Sequence, residues 1–139
     1  MSAEPRWVSK ETLLALHDRS LALHGGAPGI RDEGLLESAL TRAPNRHYYE
    51  AVEDICELAA TYAIALASNH PFVDGNKRAA FSALGLFLRL NGRRLVAAQA
   101  DAARTILAVA AGRREIAELA EWIRERSVIE PLRPPPAAV

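Results

Sequence analysis

Apolar residues along this chain recur in blocks with helical spacing. After Ser9, suited to cap a helix start, Leu13, Leu14, Leu16, Leu21 and Leu23 predict an amphipathic helix ending near Gly25-Gly26. Asp32 is placed to cap a second helix carrying Leu35, Leu36, Ala39 and Leu40, with Glu33 in its first turn. Pro44 is expected to stop that helix, because it lacks an N–H and its ring crowds the preceding turn. From Arg42 to Glu53 the helical period fails, so a loop is expected there. Its residues His47, Tyr48 and Tyr49 fit either a partner-contacting surface or a loop pinned by packed rings.

The period returns over about 54–69, where Ile55, Leu58, Ala59, Tyr62, Ala63 and Leu66 form a stripe widened by Cys56, Ala60, Ile64 and Ala67. A nearly continuous apolar run from Ala79 to Leu90 predicts a helix over about 77–91, buried on most faces and central to the fold. Asn91-Gly92 ends it, and Arg93 to Val96 reads as a short extended piece. Two more helices are expected, from about Asp101 to Ala111 and from Arg114 to Arg126, the last burying Ile116, Leu119, Ala120 and Ile123.

This pattern predicts an all-α, single-domain bundle of about six helices, with a domain over 1–128 and a proline-rich C-terminal tail over 129–139. Half of the 139 residues are hydrophobic, enough for a core without cross-links, and the lone Cys56 excludes an internal disulfide. With 17 basic and 17 acidic residues the formal net charge is zero, which argues against direct binding of nucleic acid. No signal peptide is legible and the longest apolar run is too short for a bilayer, so no membrane association and a cytoplasmic location are expected.

Charge then singles out one stretch, His70-Pro71-Phe72-Val73-Asp74-Gly75-Asn76-Lys77-Arg78. Asp74-Gly75-Asn76 is a turn cluster with side chains able to cap the helix that follows. Lys77 and Arg78 then stand where the helix macrodipole is positive and carboxylates are preferred. Free N–H groups, a glycine turn and two cations together form a receptor for a multiply charged anion such as phosphate. His70 adds a titratable base, and Asp74 a hard oxygen ligand suited to Mg²⁺. A plain helix start with two surface cations is the bland alternative; base, carboxylate and cations crowded into one segment weigh against it. His17 and His24, without a second pair of ligands, read as structural or solvent-facing. Phe72 reads as a core anchor.

The same run resembles the signature of the Fic/Doc superfamily, H-x-F-x-[DE]-G-N-[GK]-R. Gly25-Gly26, with Gly29-Ile30-Arg31-Asp32-Glu33-Gly34-Leu35-Leu36-Glu37-Ser38-Ala39-Leu40, is similar to the death-on-curing (Doc) toxin branch. With Ser68-Asn69 before the signature and Leu86-Phe87-Leu88-Arg89-Leu90-Asn91-Gly92 after it, the resemblance covers about positions 8–125. It implies His70 as general base on a target hydroxyl, Asp74 as the Mg²⁺ ligand, Gly75, Asn76 and Lys77 as an anion hole, and Arg78 as a phosphate clamp.

Two positions depart from the AMP-transferring Fic branch, which has glycine at Lys77 and a second arginine at Phe81. Both departures are shared with Doc toxins. The resemblance therefore implies ATP bound in the reverse sense and transfer of its γ-phosphate to a threonine of elongation factor Tu, blocking translation. It also implies an antitoxin whose C-terminal helix docks on the domain. Phe81 is expected to pack in the core. AMP transfer in the Fic manner, and a non-catalytic antitoxin-binding module, remain as alternatives.

Overall fold

Six helices form, close to where the hydrophobic spacing predicts them: α1 (Lys10–His24), α2 (Glu33–Glu50), α3 (Ile55–Asn69), α4 (Asn76–Leu90), α5 (Gln99–Ala110) and α6 (Ile116–Glu125). The computed structural model describes residues 4–132. Capping follows the sequence. The Ser9 side chain accepts from the Thr12 N–H, Asp32 from Leu35 and Asp54 from Cys56, each relieving an orphan donor of a first turn. No helix among the described residues is long and apolar enough to cross a membrane.

The expected stop at Pro44 does not occur. α2 continues through it to Glu50, so the loop expected over 43–50 is helical. Tertiary contacts hold the turns beyond the proline. Ala43 is fully buried, and Arg46 reaches α3, donating to Thr61 Oγ1 at 2.9 Å and to Glu57 at 3.2 Å. The His47 ring meets Trp7 edge-on, with centroids 5.5 Å apart. These contacts offset the one hydrogen bond that proline forfeits. Tyr49 is left exposed, while Tyr48, also largely exposed, leans on Trp7.

A second correction concerns the axis of the bundle, which is α3 rather than the expected α4. Ten residues of α3 are buried, against six of α4. Its alanines (Ala59, Ala60, Ala63 and Ala67) are nearly or fully buried, and α3 packs against α2, α4, α5 and α6. Small side chains let several helices approach one axis closely, whereas the longer residues of α4 leave one of its faces half-buried. Tyr62, wholly enclosed in α3, accepts from the Val8 N–H at 3.1 Å, and burial pushes its pKa up to about 12. Cys56 is buried as expected, which raises its thiol pKa.

The chain end also departs from expectation. Strand β1 (Arg93–Leu95) pairs antiparallel with β2 (Ser127–Ile129), in the register Arg93↔Ile129 and Leu95↔Ser127. β2 therefore crosses the expected domain limit at 128. Glu130 follows it, donating its N–H to the Gly92 carbonyl at 2.8 Å and pairing its carboxylate with Arg89 and Arg94. The prolines at 134–136 lie outside the described residues.

Candidate active site

The site begins where α3 ends. His70 caps the helix in the left-handed conformation, φ 49° and ψ 56°, and its side chain is exposed. A non-glycine residue holds such a backbone only when its surroundings enforce it. Here Arg31 does so: Nε donates to the His70 carbonyl at 2.7 Å and Nη2 to the Asn69 carbonyl at 2.9 Å. The backbone N–H groups of Arg31 and Asp32 both donate to the Pro71 carbonyl, and Val73 N–H donates to Gly29. With the Ile30–Phe72 bridge, these bonds stitch the segment after α1 to the signature loop. The glycine-punctuated stretch from Gly25 to Arg31 is the brace of the site.

Phe72 is buried, as expected, and its ring stacks on His17 with centroids 3.8 Å apart. His17, itself buried in α1, donates from Nε2 to the Asp74 carbonyl at 2.8 Å. The Asn76 side chain turns back on the loop, accepting from the Phe72 N–H at 2.9 Å and donating to the Phe72 carbonyl at 3.0 Å. That side chain therefore shapes the loop, and what Asn76 has left for an anion is its backbone N–H.

Gly75 begins α4 with φ 78°, and a Cβ there would stand 3.3 Å from His17 Nε2 and 3.4 Å from Arg78 Nη2. Only glycine suits both the dihedral and the space. The expected side-chain cap is absent: no side chain bonds the first turn of α4, and no acidic residue lies in it. The Asp74 carboxylate instead accepts from the Gly75 N–H at 2.8 Å and the Ala27 N–H at 3.3 Å. These two bonds, with the nearby Arg78 and His17, hold its carboxyl pKa below the ordinary value. Gly26 lies against it, where an added Cβ would come within 2.9 Å of Asp74 Oδ2.

Lys77 is exposed in that bare first turn. Arg78 donates from Nη2 to the Gly25 carbonyl at 2.8 Å, but its Nε is buried and finds no acceptor among the described residues. A buried donor without a partner costs free energy unless a ligand supplies an acceptor. His70, Asp74, Gly75, Asn76, Lys77 and Arg78 all line one cleft of about 430 Å³. The residues singled out in the sequence thus converge on a single cavity. Helix dipole and cations suit this cavity chemically to an anion, with an imidazole on its rim.

The Fic/DOC family profile matches residues 7–88, more than half of the chain, spanning α1 through nearly all of α4 and including every residue of this cleft from His70 to Arg78. The chain belongs to the Fic/DOC family. As a Fic/DOC protein it is 45% identical over 87 residues to the protein kinase doc of Escherichia phage P1, covering 63% of this chain and 69% of that protein. It is 42% identical over 74 residues to the toxin Doc of Mycolicibacterium smegmatis, covering 52% of this chain and 57% of the other. The family profile stops before α5 and α6, so the wall that α5 contributes lies outside it.

Mg²⁺ fits this Fic/DOC site only in one form. Among the described residues no group of three or more His, Cys, Asp or Glu side chains could hold a metal ion. Asp74 offers a single exposed, readily ionised carboxylate. Mg²⁺ commonly takes one or two carboxylates and completes its shell with water and substrate phosphates. Asp74 fits the form in which one carboxylate is completed by water and substrate phosphates.

Arg31, His17 and Gly26 are the supporting residues that sequence reasoning missed. Each lies 39 or more positions from its partner in the signature loop, and no periodicity connects them. Phe81 is also placed differently from expectation: it is half-buried and lines a groove between α4 and α5 rather than the core.

Proposed function

We propose that this chain is the toxin of a toxin–antitoxin pair, acting as an ATP-dependent protein kinase on a threonine hydroxyl of elongation factor Tu in the cytoplasm. The carrying observation is that exposed His70 shares a cleft with Lys77, Arg78 and the uncapped N-terminus of α4. The names of the two relatives, a protein kinase and a toxin, support the same reading.

In this mechanism the γ-phosphate of ATP lies against the α4 N-terminus. The backbone N–H groups of Asn76 and Lys77, the Lys77 ammonium and the Arg78 guanidinium neutralise its oxygens, while the Gly75 N–H stays bonded to Asp74 and shapes the turn. His70 accepts the threonine proton as the hydroxyl oxygen attacks phosphorus, and the bond to the ADP oxygen breaks in line. Asp74 would hold Mg²⁺, which when bound supplies charge neutralisation to the phosphates. Catalysis in such a transfer is mostly positioning and charge stabilisation. Arg31 and His17 contribute the positioning, since they fix the loop on which base and anion receptor both sit. Because His70 is exposed, the target protein itself must cover the cleft and exclude water.

Lys77 weighs against transfer of AMP, because its side chain occupies space that an α-phosphate bound on bare backbone needs. An antitoxin helix docked on the domain completes the reading, and silences the toxin.

Intact-mass spectrometry of elongation factor Tu incubated with this chain, ATP and Mg²⁺ tests it. The expected result is a gain of one phosphate with release of ADP, weakened by Lys77→Gly. A gain of AMP with release of pyrophosphate, or no change in mass, would overturn the kinase assignment.

A further inference from the structure

We infer that the polar trough between α2 and α3, beside His70, is where the protein substrate docks, with an acidic residue of that substrate paired to Arg42. This rests on the kinase reading above and adds to it the surface and the charge by which the target is chosen.

α2 and α3 run antiparallel. The Asn69 side chain, at the end of α3, donates to the Leu35 carbonyl near the start of α2 at 3.0 Å. Arg46, further along α2, donates to Thr61, further back on α3, at 2.9 Å. The outer seam between them holds two cavities. One, of about 270 Å³, is lined by Ser38 and Arg42 from α2 and by Ser68 and Asn69 from α3. The other, of about 230 Å³, runs on along α2 to Arg46 and Glu50, and Ser38 and Arg42 line it too. The cavities therefore meet at Arg42 and form one trough. Its upper end abuts the site, since Asn69 is the residue before His70 and Arg31 holds the carbonyls of both.

Charge within the trough is answered unevenly. Arg46 pairs with Glu57 at 3.2 Å and with Glu50 at 3.9 Å. Arg42 is exposed and meets neither a carboxylate nor another acceptor among the described residues. Its guanidinium thus keeps a planar fork of donors for a group outside the chain. Ser38 and Ser68 add exposed hydroxyls, and Asn69, with Nδ2 bonded to Leu35, offers Oδ1 as an acceptor. An extended peptide carrying a carboxylate matches this set: the fork takes the carboxylate, and the hydroxyls and amide oxygen take main-chain groups. None of the large apolar side chains exposed on the described surface lies in the trough. A lasting partner buries an apolar face, whereas a polar one suits a protein that binds, is modified and leaves. The occupant is the substrate rather than the antitoxin.

Position also sets a spacing. Arg42 shares the upper cavity with Ala65, which precedes His70 on α3 by about 7–8 Å of helix axis. An extended chain covers that in two or three residues at about 3.3 Å each. The acidic residue should stand about that far in sequence from the acceptor hydroxyl.

Steady-state transfer from ATP to elongation factor Tu by the full chain tests this, read as kcat and as separate KM values for the protein and for ATP. Arg42→Glu and Ser38→Trp, both at exposed positions of α2, are compared with the parent. Each should raise KM for the protein by about tenfold, the loss of one charge-assisted pair, while KM for ATP and Tm hold. In addition, the acidic residue of the target nearest its modified threonine is changed to lysine. That target should be poor for the parent and regain transfer with Arg42→Glu. An unchanged protein KM in both variants, a fall in kcat alone, or a charge swap that restores nothing would overturn the docking assignment and leave the phosphate site standing. Failure of the parent to modify elongation factor Tu would overturn the kinase reading and this inference together.

Discussion

Arg31 and His70 are 39 positions apart in sequence, yet the Arg31 guanidinium donates to the His70 carbonyl at 2.7 Å and holds that residue in the left-handed conformation. The backbone of the proposed base is thus held by a side chain from the segment after α1, while its own helix merely ends beneath it.

Removing that brace should damage turnover more than nucleotide binding. Arg31→Ala is expected to lower kcat at least tenfold with a smaller change in KM for ATP, because the phosphate receptor on α4 keeps its own contacts. His70→Ala should cost about 10²- to 10⁴-fold in transfer with an unchanged circular dichroism spectrum, since His70 is exposed. Full activity in a folded His70→Ala protein would exclude it as the base.

His17 supports the other side of the loop. Phenylalanine there keeps a flat ring on Phe72 but loses the donor to the Asp74 carbonyl. His17→Phe should destabilise the protein by about 1 kcal/mol, the net worth of one such bond, and lower Tm by a few degrees. An unchanged Tm by calorimetry would show that water replaces the bond.

The Asp74 carboxyl titrates below its ordinary value of 3.8, chiefly because the Gly75 and Ala27 N–H groups bond its ionised form. A depressed pKa in the folded state contributes stability that is complete above the ordinary value and is lost as pH falls through the lower, folded one. The tie between the two loops should therefore persist through neutral and mildly acidic pH and release only below 3.8. The Ala27 and Gly75 amide resonances should shift together with a midpoint under that value. A midpoint at or above it would show that the carboxylate is not held by these groups.

Close packing around α3 predicts a further asymmetry. Ala60 has no exposed surface, so Ala60→Leu should cost about 1–3 kcal/mol by overpacking. Ala103→Leu on exposed α5 should stay within about 0.5 kcal/mol. Urea unfolding midpoints of the two variants give the comparison, and similar midpoints would contradict the assignment of α3 as the axis.

Local chemistry along the chain determined a good deal without any structure. Helix starts at Ser9 and Asp32 are legible because a cap acts on N–H groups only three residues away. The cleft residues from His70 to Arg78 are legible because a short segment carries both the turn and the charges, so sequence neighbours remain spatial neighbours. Tertiary structure decided the rest. Pro44 sits inside a helix because Arg46 and His47 find partners on α3 and Trp7, and those contacts outweigh a local breaker. The bundle turns on α3 rather than α4 because burial depends on how many neighbours can approach, which runs of apolar residues do not reveal. Arg31, His17 and Gly26 reach the site across long loops, and no spacing rule encodes such a meeting. Phe81 faces a groove because α5 stands off from α4 there, a gap that exists only once both helices are packed on α3.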